Sequence, residues 1–188
     1  FEEPFTRFRA HGLITHDGAK MSKSRGNVII PDPIIDEFGA DTFRLYLMFL
    51  GPFEEGGDYR DEGIQGPYGF LHRLWDTVHS AIDGEPDPDV ERKLHQTIRQ
   101  VSGQLPSLQY NTAIAALMEY LNVVRAGGRT AVRAEIEDLV VMVAPFAPHM
   151  AEELWEVLVH DASVLPHATR CCTGSSGARS PVMPGTKR

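Results

Sequence analysis

The chain has 188 residues, 42% hydrophobic and 23% charged, with 18 Lys and Arg against 26 Asp and Glu for a formal net charge of −8. That composition excludes intrinsic disorder throughout and suits a chain with a real core of one or two domains. No apolar run approaches the roughly 20 residues of a membrane-spanning helix, residues 1–10 lack a signal-peptide layout, and the adjacent Cys171 and Cys172 exclude a disulfide framework or CxxC metal knuckle. A cytoplasmic location is expected. The first residue is Phe, on an already patterned segment, so the sequence reads as a piece of a longer protein.

In chain order, residues 12–15 read as a short strand, and Asp17-Gly18 supplies a dipeptide that accepts positive φ in a tight turn. The chain then returns into Lys20. Residues 20–27 are small, polar or basic, with Gly26 inside, which predicts an exposed loop. Residues 34–38 fit a short helix ended by Gly39, residues 40–50 a second helix stopped by Gly51-Pro52, and residues 53–61 a loop.

Beyond that point the period is helical. Leu71, Leu74, Trp75, Val78 and Ile82 share one helix face, although Pro67 and Gly69 blur its start. Asp87-Pro88 is an N-cap and first-turn pair for a stripe of Val90, Leu94, Ile98, Val101 and Leu105. Ile114, Leu117, Met118, Leu121 and Val124 form a third stripe before Gly127-Gly128, and Ile136, Leu139, Val140 and Val143 a fourth before Pro145. Pro148 opens a fifth, with Ala151, Leu154, Trp155 and Leu158 inward. No one of these stripes buries itself, so an antiparallel helical bundle with short connections is expected. Residues 162–188 carry four basic and no acidic side chains and are rich in Gly, Ser, Thr and Pro, which predicts disorder.

The chemistry concentrates in Lys20-Met21-Ser22-Lys23-Ser24, followed by Arg25-Gly26-Asn27, with no acidic residue between Asp17 and Asp32. Lysine ammonium groups are mobile point cations, and Ser hydroxyls and free backbone N–H groups add neutral donors, so this loop suits a phosphate. Contacts that strengthen as pyrophosphate departs accelerate its release. Elsewhere the signals are structural. Asp41 and Arg44, three apart on a helix, suggest a surface ion pair worth under about 1 kcal/mol ahead of the alternative in which Arg44 reaches a phosphate. The eight histidines show no metal-ligand spacing, so no metal site is expected, and no nucleophile elbow appears.

The string at residues 20–24 resembles the KMSKS motif of class I aminoacyl-tRNA synthetases, and a chance five-letter match in such a chain has odds on the order of one in 10,000. The flanks Glu3-Pro4-Phe5, Gly39-Ala40-Asp41-Thr42-Phe43-Arg44-Leu45-Tyr46 and Met48-Phe49-Leu50-Gly51-Pro52 are most similar to leucyl-tRNA synthetase. Phe70-Leu71-His72-Arg73-Leu74-Trp75, residues 111–119 and residues 145–155 extend the resemblance to about residue 161.

The resemblance implies a mainly α chain: residues 1–60 as the end of a Rossmann-type class I catalytic domain with its KMSKS loop, residues 61–161 as a bundle of the class Ia anticodon-binding type, and residues 162–188 as a tail. It implies activation of leucine with ATP, as a substrate carrying Mg2+, and transfer of the leucyl group to tRNA(Leu), with no membrane partner. Lys20 and Lys23 would stabilise the phosphates, Met21 would anchor the loop by packing, and Ser22 and Ser24 would support it. Tyr59-Arg60 departs from the Trp-Ser pair common there. The HIGH motif, leucine recognition, any editing domain and the C-terminal tRNA-contacting module are not in this sequence, so activity of the piece alone is not expected. A methionyl-type synthetase and a non-catalytic RNA-binding helical module remain as alternatives.

Overall fold

A computed structural model describes residues 5, 8–158 and 160–168. The adjacent cysteines and most of the expected tail lie outside them. Three short strands open the fold: β1 (Leu13–His16), β2 (Ala19–Lys20) and β3 (Gly56–Tyr59), in the order β2-β1-β3. β1 and β2 form the expected hairpin, Thr15 opposite Lys20 and His16 opposite Ala19, and Asp17 and Gly18 turn it with φ of 52° and 71°.

β3 replaces the loop expected over residues 53–61. It pairs parallel with β1, Leu13 opposite Gly56 through His16 opposite Tyr59, after a crossover through α1 (Pro31–Phe38) and α2 (Ala40–Phe49). Such a strand–helix–strand crossover is the unit of open α/β sheets. The junction depends on missing side chains. Gly56 has φ of +84°, and a Cβ there would lie 2.1 Å from the Leu13 carbonyl oxygen.

Five long helices follow among the described residues: α3 (Gln65–His79), α4 (Pro88–Gln104), α5 (Tyr110–Val124), α6 (Arg133–Val143) and α7 (Pro148–Val157). Asp87 caps α4 by accepting from the N–H groups of Asp89 at 2.8 Å and Val90 at 3.3 Å. Gly127 and Gly128, both with positive φ, turn the chain out of α5. The predicted stripes form one core, with Leu74, Val101, Ile114, Leu117, Leu121, Ile136, Leu139 and Leu154 all fully buried. Among the described residues no helix is long and apolar enough to cross a membrane.

Two further expectations change. α3 ends at His79, so Ile82 lies beyond its stripe, exposed, and its backbone bridges Val132. The tail expected to be disordered from residue 162 begins as packed chain. Val164 and Ala168 are buried in the main core, and the Val164 N–H donates to Glu152.

A buried carboxylate ties the bundle together. Glu135 is fully inaccessible, yet it accepts from Arg129 at 2.8 and 3.0 Å, the Val132 N–H at 3.0 Å and the Asp87 N–H at 2.9 Å. Burial alone raises its pKa; the Arg129 hydrogen bonds and the two N–H donors outweigh this and leave it below the ordinary carboxylate value.

A second, smaller core forms where α2 meets the strands. Tyr46, Tyr59 and Ile64 are its buried members, with Met21, Ile29, Ile34, Phe38, Phe43, Leu47 and Leu50 against them. α2 is therefore a shared wall: Phe43, Tyr46, Leu47 and Leu50 face the small core, while Leu45, Met48 and Phe49 face the bundle.

Candidate functional site: a cationic arm on the hairpin

The hairpin carries Lys20 at the end of β2, and the chain passes at once into a 3-10 turn over Lys23–Arg25. Ser22 caps this turn: its hydroxyl accepts from the Arg25 N–H at 3.3 Å and shares a hydrogen bond with the Ser24 hydroxyl at 2.9 Å. Gly26, with φ of 68°, takes the left-handed position that ends it.

Asn27 closes the arm. Its Oδ1 accepts from the Ser22 N–H at 2.9 Å and its Nδ2 donates to the Lys20 carbonyl at 3.3 Å, so one side chain ties both ends of residues 20–27. The His16 ring sits 3.0 Å from the Asn27 carbonyl, which joins the arm to β1. Met21 packs into the small core beside Tyr46 and Tyr59. Met21 thus lies packed at the base of the arm, and Ser22 and Ser24 bond each other within its turn.

A carboxylate fixes the hairpin from the opposite side. Asp58 accepts from the Gly18 N–H at 2.6 Å, the Thr15 hydroxyl at 2.7 Å and the Arg60 guanidinium at 3.1 Å. The Gly18 N–H, then the Thr15 hydroxyl, hold its pKa below the usual value. Tyr46 secures the next residue, its hydroxyl donating to the Arg60 carbonyl at 2.7 Å and accepting from the Arg60 N–H at 3.0 Å. Burial pushes that phenol pKa up.

The arm thus has a fixed base and a free upper surface. Lys20, Lys23 and Arg25 are exposed, and among the described residues none of the three is held in an ion pair. Three cations left to solvent on a braced loop present charge to an external anion. Among the described residues, no group of three His, Cys, Asp or Glu side chains is placed to hold a metal ion. Asn27 and Asp58 are the residues that reading the motif alone overlooks. Asn27 had a signal in its place directly after Gly26; Asp58 had none, because Gly18 and Thr15, the two partners by which it holds the hairpin, lie some forty residues upstream.

Asp41 and Arg44 do not form the surface pair their spacing suggested. Asp41 accepts from the Met150 N–H at 2.7 Å and lies 2.8 Å from His149 Nδ1, while Arg44 donates to the Pro145 carbonyl at 3.1 Å. Both side chains reach from α2 to the corner between α6 and α7.

Residues 1–56 match the family model for class I tRNA synthetases of the I, L, M and V group, and residues 87–171 match that for the anticodon-binding domain of tRNA ligase. The leucine–tRNA ligase of Thermosipho melanesiensis is 39% identical over 88% of this chain and 23% of its own length. A crystal structure of the ternary complex of Agrobacterium radiobacter K84 agnB2 LeuRS with tRNA and LeuAMS superposes with a TM-score of 0.74 at 31% identity, over 87% of this chain and 24% of that one. Mycobacterium tuberculosis methionyl-tRNA synthetase, bound by methionyl-adenylate, shares the fold with a TM-score of 0.66 at 20% identity, over 88% of this chain and 40% of that one. The chain spans about a quarter of the length of the curated relatives it matches.

Proposed function

We infer, from a chain that belongs to the class I tRNA synthetases and is homologous to leucine–tRNA ligases, that it works as the KMSKS-bearing quarter of such a ligase. In this reading the whole protein joins leucine to ATP, releases pyrophosphate, and passes the leucyl group to tRNA(Leu) in the cytoplasm. The supporting observation is the arm itself: Lys20 and Lys23, exposed and without an ion pair among the described residues, on a loop braced by Ser22, Asn27 and Met21.

Lys20 and Lys23 contact the ATP phosphates, and their attraction grows as negative charge moves onto the departing pyrophosphate. Mg2+ carried on the ATP substrate would supply further neutralisation of the same charge. Met21 anchors the loop, while Ser22 and Ser24 hold its turn in shape. A loop bound at its base and free at its tip can close over ATP without unfolding its support.

We place the division of the chain near residue 60, between β3 and α3. The preceding part completes the nucleotide site and the bundle over 61–161 supports tRNA. The leucyl reading stands above the methionyl one because relatives named leucine–tRNA ligase are about 40% identical, whereas the methionyl enzyme is 20% identical.

The test is a graft in which this chain replaces the matching quarter of the Thermosipho melanesiensis ligase. ATP–pyrophosphate exchange stimulated by leucine is expected. Stimulation by methionine, or no exchange while tRNA binding persists, would overturn the reading in favour of the methionyl type or of an RNA-binding module respectively.

A further inference from the structure

We propose that Asp41 and Arg44 are positioning residues that couple the tRNA-supporting bundle to the lysine arm through α2. The proposal rests on the reading of residues 20–24 as the phosphate-contacting arm, and its observations are independent of that chemistry.

The first observation is a helix N-terminus capped from elsewhere. α7 begins at Pro148 after Ala147, whose side chain supplies no cap. Asp41 of α2 provides one, accepting from the Met150 N–H and meeting His149, and Arg44 one turn along takes the Pro145 carbonyl. The Asp41 side chain is only 11% exposed. Two charge-assisted contacts therefore lock one face of α2 to the bundle corner across more than a hundred residues of sequence.

The second observation is the opposite face of the same helix. Tyr46 receives and donates hydrogen bonds at Arg60, and Arg60 bonds Asp58, which holds the Gly18 turn leading to Lys20. Tyr46, Leu47 and Leu50 also line the small core that seats Met21. Leu45 and Tyr46 are neighbours in sequence yet belong to different cores. A rigid helix packed on both sides cannot shift against one core without shifting against the other, because close-packed interiors transmit displacement. A bundle displaced by tRNA would then be felt beneath Lys20 and Lys23.

Amide hydrogen exchange by NMR on the 188-residue chain tests this. The amides of Gly18, Ser22 and Arg60 report the arm, Met150 reports the cap, and Ile114 and Leu117 report the bundle core. Asp41→Ala and Arg44→Gln are each expected to speed exchange at Gly18, Ser22 and Arg60 at least fivefold with Ile114 and Leu117 unchanged. Asp41→Asn, which keeps an acceptor for the Met150 N–H, restores most of the protection. Faster exchange confined to residues 147–150 would reduce both residues to a local structural role and overturn the proposal. So would a uniform increase that includes the bundle core. Should Asp41→Ala fail to fold, Arg44→Gln carries the same readout. Failure of leucine-dependent exchange in the graft, with arm amides responding as stated, would sink the function and leave the coupling standing.

Discussion

Replacing Glu135 with Ala removes a carboxylate that is completely buried and accepts four hydrogen bonds, two from Arg129 and one each from the backbones of Asp87 and Val132. The cost has two parts. Two backbone N–H groups lose their acceptor, at about 1–3 kcal/mol each when buried, and a guanidinium loses its bidentate partner. Arg129 is 28% exposed, so water recovers part of its charge. Breaking a buried pair by removing one member costs about 3–5 kcal/mol, and that range is the expected loss here. For a chain of this size it corresponds to a fall in Tm of about 10 °C, read by circular dichroism and urea denaturation. Glu135→Gln keeps one acceptor but turns an amide donor toward other donors, so it should fall between wild type and Ala. Because the folded pKa of Glu135 is depressed, its contribution is present above the unfolded glutamate value and is lost as pH falls through the folded one. The gap between wild type and Glu135→Gln should therefore close in acid. A loss under about 1 kcal/mol for Glu135→Ala at neutral pH would refute the assignment of Glu135 as the knot of the bundle.

Further outcomes follow from the strand junction and the arm. Gly56→Ala must move the Leu13 carbonyl out of a 2.1 Å contact and adopt an unfavourable positive φ, so a loss of at least about 2 kcal/mol is expected; an unchanged melting curve would contradict the parallel pairing of β1 and β3. Asp58, its pKa depressed first by the Gly18 N–H, should keep the hairpin turn protected from neutral pH down through the usual carboxylate range, with protection lost as pH falls through its folded value. An NMR titration of the Asp58 carboxyl that gives an ordinary or raised midpoint would exclude this bracing. Asn27→Ala should free residues 20–27 at both ends, seen as faster exchange of the Ser22 amide with bundle amides unchanged; equal exchange rates in variant and wild type would show that Asn27 does not hold the arm.

Local signals gave the helices and the first turn. Asp17-Gly18 needed only positive φ, Asp87-Pro88 only the chemistry of a helix start, and the bundle stripes only the 3.6-residue period. β3 stayed hidden because Gly56-Gly57-Asp58-Tyr59 has little strand propensity of its own, and its partner lies more than forty residues upstream. Ile82 continued the α3 period by coincidence of spacing, although the helix had ended at His79 and a backbone bridge to Val132 set its position. Asp41 and Arg44 were spaced for each other, but a nearby helix start and a free carbonyl offered better partners than a solvated ion pair. Glu135 sat one position from the stripe residue Ile136 and gave no sign of burial, since its donors come from two segments, Asp87 far upstream and residues 129–132 just before α6. Within the arm, the motif spelled out the cations, while the brace beneath them required tertiary contacts to see.

Lys20 and Lys23 are proposed to carry the phosphate charge that develops during leucine activation. In the Thermosipho graft, single-turnover formation of leucyl-adenylate with Lys20→Ala and Lys23→Ala together should slow by on the order of a hundredfold or more, the loss of two charge-assisted contacts of about 1.5–3 kcal/mol each, with leucine affinity unchanged. Adenylate formed as rapidly as in the unsubstituted graft would contradict the account.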